Sequence, residues 1–309
     1  MPMPYKLAEK LIVGIASSAL FDLKESDTVF RTHGEDAYRV YQEEHIDDTL
    51  KPGVAFPFVR RLLSLNDLAP TDSVLVEVII LSRNDPETGL RVMRSIQAHS
   101  LPITRAIFMQ GRSPYKFIKA LSMSLFLSGN PEDVREAIDL GFAAGQVIGA
   151  PAKAPEGKDL RIAFDFDGVL ADDESERIMQ SDGLEAFHDN ETEKVLIPMH
   201  EGSLTDFLRG INRIQDIEEN LRKEDPTYNR RVHVAIVTAR NAPSHERVVK
   251  TIQSWGVRVN DAFFLGGIEK TAVLEVLRPH LFFDDQRKHL EPAADNVPCV
   301  HVPFGIVNQ

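Results

Sequence analysis

LRIAFDFDGVLADD (Leu160–Asp173) is the stretch that decides the fold. Arg161–Phe166 is nearly continuous in apolar residues, as expected of a parallel strand covered on both faces. It delivers Asp165 and Asp167 to the end of that strand, just before Gly168. Alternate strand residues point the same way, so the two carboxylates share a side if the strand runs that far. Crowded carboxylates repel, and burial penalises both charges. A hard divalent cation such as Mg²⁺ is the natural offset. A lone D-x-D would read as an Asp-rich turn capping a helix, but this one has company further along the chain.

Outward from this strand, apolar runs alternate with longer helix-like segments. Strands are expected at Leu11–Ile15, Val74–Leu81, Ala106–Met109, His233–Val237, Ala262–Leu265 and His280–Phe283. Helices are expected at Asp36–His45, Val54–Leu65, Pro86–His99, Pro131–Phe142, Leu204–Arg222, His245–Trp255 and Lys270–Leu277. Asn130 and Ser244 stand where caps belong. This alternation predicts an α/β fold with a mainly parallel sheet and helices on both faces. GAPAKAPEGKD (Gly149–Asp159) lacks large apolar residues and marks a boundary between a half at 1–150 and a half at 159–309.

The halves resemble each other. Residues 95–130 align without a gap to residues 251–286, pairing AIFMQG (Ala106–Gly111) with AFFLGG (Ala262–Gly267) and SLFLSGN (Ser124–Asn130) with HLFFDDQ (His280–Gln286). LSRNDP (Leu81–Pro86) resembles TARNAP (Thr238–Pro243). Either an ancient duplication giving two similar lobes or the apolar spacing that any two βα units share accounts for this, the duplication being preferred; the period is too long for a solenoid.

Composition excludes several classes. With 43% apolar and 27% charged residues, the chain is neither disordered nor collagen-like. A formal charge of −12 argues against broad binding to nucleic acid or anionic membranes. The single cysteine, Cys299, forbids an internal disulfide and any cysteine-cluster site, and it suits a reducing, cytoplasmic setting. Lys6 and Lys10 before the apolar run Leu11–Phe21 imitate a signal peptide, but the run reads better as a buried strand and is too short to span a bilayer.

The company of the D-x-D comes from three further strand ends. IVTAR (Ile236–Arg240) puts Thr238 at a strand tip, FLGGIEK (Phe264–Lys270) puts Lys270 in the first turn of a helix, and FFDDQ (Phe282–Gln286) puts Asp284 and Asp285 at another tip. Ligands of open α/β sheets bind beyond the carboxyl ends of strands, where all four groups converge. A cation site beside an anion site is what a phosphoryl group bound with Mg²⁺ requires.

This order of D-x-D, T, K and DD over residues 160–305 resembles the haloacid dehalogenase-like (HAD) superfamily, and implies its Rossmannoid sheet with a small cap. Carried over by position, the resemblance makes Asp165 the nucleophile that forms an aspartyl-phosphate and Asp167 the general acid and base. Thr238 and Lys270 hold the phosphoryl oxygens. Asp165, the Asp167 carbonyl, and Asp284 or Asp285 bind Mg²⁺. An Asp at position 167, where the dehalogenases have none and the ATPases carry Thr, implies phosphomonoester chemistry. The cap would fall at about 171–231.

A closer likeness covers nearly the whole chain. AFPFVRRL (Ala55–Leu62), MQGRSPYKFIKA (Met109–Ala120), NPEDVREAID (Asn130–Asp139), DDESERI (Asp172–Ile178), SWGV (Ser254–Val257), RPHLFFDDQ (Arg278–Gln286) and HVPFG (His301–Gly305) are similar to the cytosolic 5'-nucleotidase I family. That resemblance implies Mg²⁺-dependent hydrolysis of nucleoside 5'-monophosphates, AMP above all. The expected partner is that nucleotide, with no nucleic acid and no membrane; a homo-oligomer stays open. Two rivals stand beside it: a HAD phosphatase for another small ester, and a catalytically silent nucleotide-binding regulator.

The first half lacks this chemistry. It offers Ile15 for Asp165, Ser17 for Asp167, Pro114 for Lys270, and Ser128 with Gly129 for the acidic pair. It reads as a degenerate, non-catalytic HAD-like lobe, contributing to the nucleoside pocket or an oligomer interface through Arg112, Ser113 and Tyr115. GGIEKT (Gly266–Thr271) lacks P-loop spacing, GIASSA (Gly14–Ala19) is no nucleophile elbow, and His280 and His289 read as surface or packing residues. Gly141, Gly145 and Gly149 suggest close helix packing.

Overall fold

A computed structural model describes residues 7, 9–70, 73–150 and 157–308. Lys6 and most of the boundary segment (residues 151–156) lie outside the described residues. The strands are β1 (Leu11–Ile15), β2 (Val76–Ser82), β3 (Arg105–Phe108), β4 (Leu125–Ser128), β5 (Ala144–Ile148), β6 (Leu160–Phe164), β7 (Val232–Thr238), β8 (Asp261–Phe264), β9 (Leu281–Asp284) and β10 (Cys299–His301). The helices are α1 (Ser17–Leu20), α2 (Lys24–Glu44), α3 (Phe56–Ser64), α4 (Pro86–Ala98), α5 (Phe117–Ala120), α6 (Pro131–Asp139), α7 (Glu174–Glu193), α8 (Thr205–Glu224), α9 (His245–Trp255), α10 (Lys270–Leu277) and α11 (Arg287–Leu290).

All ten strands join one sheet, in the order β3-β2-β1-β4-β5-β10-β9-β6-β7-β8. Every pairing is parallel except β5 with β10. This is the expected α/β sheet, with buried apolar residues on both faces. Ile162 and Phe164 enter one core cluster, while Ala163 enters the other. Phe164 stacks on Phe283 with ring centroids 5.1 Å apart, and burying such a ring contributes about 1.5–3 kcal/mol.

Counted outward from the junction, each half has the same strand order: β5-β4-β1-β2-β3 in one, β10-β9-β6-β7-β8 in the other. The likeness extends to single hydrogen bonds. Met199 N donates to Thr251 Oγ1 at 3.2 Å, and Leu50 N donates to Ser95 Oγ at 3.0 Å. The Trp255 indole donates to Met199 O, and the His99 ring meets Leu50 O. The long helices α2 and α7 both break at a glycine, Gly34 (φ 82°) and Gly183 (φ 85°). A sequence duplication explains these shared details economically.

The antiparallel junction has a consequence for function. Within each half the strands run parallel, so the two halves open their carboxyl edges on opposite sides of the sheet. The loop after β3, with Arg112, Ser113 and Tyr115, therefore does not border the acidic strand ends of the second half. That corrects its expected place in a shared nucleoside pocket. Tyr115 is instead buried, with the Arg83 guanidinium 5.4 Å over its ring.

Several other expectations change. β4, β5 and β10 were not expected: β4 and β10 are only four and three residues long, and Gly145 and Gln146 interrupt the apolar run of β5. The glycine spacing at 141–149 serves the sheet, not a helix pair: a Cβ on Gly145 would stand 2.2 Å from Val300 Cγ1 across the β5–β10 junction. Leu204–Arg222 forms α8, but it does not belong to a cap. Phe207, Leu208, Ile211 and Ile214 are buried in the sheet-covering core. Only α7 and its flanking loops remain as the insert. α7 escaped notice because its buried residues are just Ser175, Phe187 and Glu191, which make no apolar stripe. Ser244 is no cap; its backbone is already helical, and its hydroxyl donates to Asn241 O at 2.8 Å.

Candidate active site

The site is built at the carboxyl edge of the second half. The β6 ladder continues one residue past the strand, with Asp165 N donating to Phe283 O at 2.7 Å. The chain then turns through Asp167 (φ −70°, ψ 137°) and Gly168 (φ 71°). The turn separates the two carboxylates' partners, where a continued strand would have kept them side by side. Gly168 is required twice over: its φ is left-handed, and a Cβ there would lie 2.5 Å from Asp285 Oδ2.

Asp165 is 4% exposed. Its Oδ1 accepts from Phe166 N at 2.7 Å, and its Oδ2 meets Lys270 Nζ at 2.7 Å. The same ammonium donates to Asp284 Oδ2 at 2.7 Å. One cation therefore bridges the ends of β6 and β9 from the first residue of α10. Burial pushes the Asp165 carboxyl up to about 7; Lys270 opposes that rise and Asp284 adds to it. Burial works against charge on Lys270, but Asp165 and Asp284 outweigh it and hold the ammonium above its ordinary value. Burial likewise raises Asp284, yet Lys270 and His289 hold it below the usual carboxylate range. His289 Nδ1 lies 3.1 Å from Asp284 Oδ2, so this histidine faces the site that it was read as merely flanking.

Asp167 has a different partner. Arg240 donates to it through two nitrogens, Nε to Oδ2 at 2.7 Å and Nη2 to Oδ1 at 2.6 Å. Thr238 ends β7 fully buried, its Oγ1 accepting from Arg240 N at 3.2 Å. The structure thus joins Asp165, Lys270 and Asp284 by direct contact, and Asp167 and Thr238 through Arg240.

Sequence reasoning missed Arg240, Glu191 and Arg247. Glu191 on α7 is buried, yet it receives Arg240 Nη1, Arg247 Nη1 at 2.8 Å and Ser175 Oγ at 2.8 Å. It ties the insert down over the strand ends. The spacing of Arg240, two residues past Thr238, could have flagged it; a lone Glu in a polar helix carried no signal. In the first half the equivalent contact lacks the carboxylate, with Arg91 Nη1 donating to the neutral Gln42 Oε1 at 3.2 Å.

Asp285 is the exception among these carboxylates. It is 2% exposed and its buried Oδ1 has no hydrogen-bond partner among the described residues. Burial pushes its carboxyl up to about 9, with Asp165 and Asp284 adding to the rise. Four carboxylates here face two cations, Lys270 and Arg240. An oxygen-liganded dication fits that deficit of charge. Asp165, Asp284 and His289 also offer ligand atoms within 4.8 Å of one another. Asp284 is already engaged by Lys270, His289 and Gln286 N, however, which leaves Asp285 the freer acid.

A family model described as 5'-nucleotidase matches residues 3–309. Human cytosolic 5'-nucleotidase 1B is 33% identical over 300 residues, covering 94% of this chain and 48% of that protein. The chain thus spans about half the length of the curated relative it matches. No solved structure matches it significantly.

Proposed function

Since this chain belongs to the 5'-nucleotidase family, we propose that it hydrolyses nucleoside 5'-monophosphates, AMP foremost, to nucleoside and phosphate with Mg²⁺. The observation that carries the reading is the junction of Asp165 and Asp284 on one buried ammonium beside the unpartnered Asp285. The AMP preference rests on the family likeness, and a cytosolic setting on the relative's name. Among the described residues no helix is long and apolar enough to cross a membrane.

The roles come from the family resemblance, and the contacts at the strand ends support them. Asp165 attacks phosphorus, the bond to the 5'-oxygen breaks, and an aspartyl-phosphate forms. Asp167 gives its proton to the departing oxygen, then takes one from the water that cleaves the acyl phosphate. Lys270 and Thr238 hold the phosphoryl oxygens as charge develops. Asp165, the Asp167 carbonyl and Asp285 would hold Mg²⁺, with Asp284 and His289 supporting from behind. The ion supplies Lewis-acid neutralisation of phosphoryl charge when bound. Both Asp167 oxygens are held by Arg240, so substrate entry must open that pair and free the acid for proton transfer. Because Asp165, Thr238 and Lys270 are almost fully buried, entry must also lift α7. Catalysis is assigned to residues 159–309, and the first half has no part in the chemistry.

Phosphate release from a panel of nucleoside monophosphates and sugar phosphates tests this. Release favouring AMP, restored by Mg²⁺ after being abolished by EDTA, is expected. Release from sugar phosphates alone would discard the nucleotidase reading, and release that survives EDTA would discard the metal.

A further inference from the structure

The first half holds a cavity of about 790 Å³ at its own carboxyl edge, on the opposite side of the sheet from the acidic cluster. It lies where an open α/β sheet takes ligands, and its volume suits a small organic molecule. Ser17 and Ser18 follow β1, Ser82 ends β2 with Asn84 just beyond it, and α2 covers it with Phe30 and Tyr38. In the second half the equivalent helix α7 is pulled down by the charged Glu191 tie. In the first half a neutral amide, Gln42, meets Arg91 in place of that carboxylate, and the space beneath α2 stays open.

We propose that this cavity is a second binding site, for an uncharged nucleoside. Three observations fix the ligand class. First, the cavity is not built for phosphate. Six carboxylates line it against four cationic side chains. Two of those cations are already paired: Arg39 with Glu35 and Asp85, and Arg83 with Asp133 and Glu136. The other two, Lys24 and Arg31, are exposed. Second, two helices that start at the cavity, α4 and α6, each have a capping side chain on a first-turn amide. Asp85 accepts from Thr88 N at 2.8 Å at the start of α4, and Asn130 accepts from Glu132 N at 2.9 Å at the start of α6. An anion would have to compete with these capping side chains for the amides of α4 and α6. Third, the lining matches a base and a sugar. Phe30 is 51% exposed and packs edge-to-face on Tyr38 at 5.7 Å, giving an aromatic face on which a base can stack. The serine hydroxyls and Asn84 offer donors and acceptors for ribose hydroxyls and base edges.

Ala16, not Ile15 as the sequence alone suggested, stands where the second half has Asp165, its N donating to Leu127 O at 2.8 Å as Asp165 N does to Phe283 O, and Pro114 stands for Lys270, so the cavity has no carboxylate and no ammonium at the positions of those two residues. It binds without reacting. A nucleoside is also the product class of the proposed reaction, and that link alone rests on the proposed activity. The site would then let product report on the enzyme from the far edge of the sheet.

Calorimetric titration of the full chain with adenosine, uridine and inorganic phosphate tests the site. We expect a nucleoside-binding event that persists with the same affinity in Asp165→Asn, and no phosphate binding that depends on the cavity. Phe30→Ala on the exposed face of α2 should weaken binding about 5- to 100-fold, as loss of a base-stacking ring does. Phe30→Trp should restore it. Nucleoside binding untouched by Phe30→Ala, or phosphate binding that Phe30→Ala weakens while no nucleoside binds, would overturn the proposal. Phosphate release from AMP by the same samples reads the activity separately. Binding that depends on Phe30 in a chain without activity would keep the site and remove its product role.

Discussion

Replacing Asp165 by Asn is expected to leave the fold standing and to lower turnover at least about 10⁴-fold. Asparagine keeps the shape and an oxygen for Phe166 N, which Asp165 Oδ1 now satisfies. It cannot form the acyl phosphate. The folded state should tolerate the change because burial and neighbouring acids already disfavour charge on Asp165. A group whose folded pKa is raised destabilises the fold once ionised, so a neutral residue removes that cost. Lys270 keeps Asp284 as its second partner. Steady-state phosphate release and a thermal melt, run on the same preparation, check both halves. Turnover within tenfold of native would remove Asp165 from the chemistry.

Glu191→Ala is expected to give the largest loss of stability, about 3–5 kcal/mol, the usual cost of stranding buried charge. Glu191 is buried and receives both Arg240 and Arg247, which are themselves 4% and 1% exposed. Its removal leaves Arg247 with one carboxylate partner among the described residues, Glu174 at 3.4 Å, beside the Ile197 carbonyl at 3.1 Å. In a chain of this size the melting temperature should fall by roughly 5–10 °C. Glu191→Gln should cost less than half as much, because the first half already pairs its equivalent arginine, Arg91, with Gln42. Equal losses for the two variants would show that packing, not charge, holds α7 in place.

These two residues mark how far the sequence could be read. Asp165 was legible because a continuous apolar strand must end somewhere, and a D-x-D at its end is chemically expensive without a cation. Thr238 and the Asp284–Asp285 pair were legible for the same reason, being polar at strand tips, and Lys270 because it opens the helix that follows one. Glu191 was not, since its meaning comes from two arginines that follow it by 49 and 56 positions. The duplication was visible only in part. Gly34 and Gly183 are 149 residues apart, whereas Ser82 and Thr238, ending β2 and β7, are 156 apart. A gapless alignment loses the match between them, where α8 is longer than its counterpart α3. The helical segment at 204–222 was assigned to the cap because a polar, charged stretch between motifs does not reveal that one of its faces lies on the sheet. Nor could the pattern show that β5 and β10 meet antiparallel, which sends the two clefts to opposite edges.

The claim at the centre of this account is that phosphate passes through Asp165. Rapid acid quench of the full chain with Mg²⁺ and AMP labelled in its phosphate tests it most directly. The account predicts a hydroxylamine-sensitive label on the peptide that contains Asp165, absent from Asp165→Asn. A label on another residue, or native turnover in Asp165→Asn without any label, would contradict it.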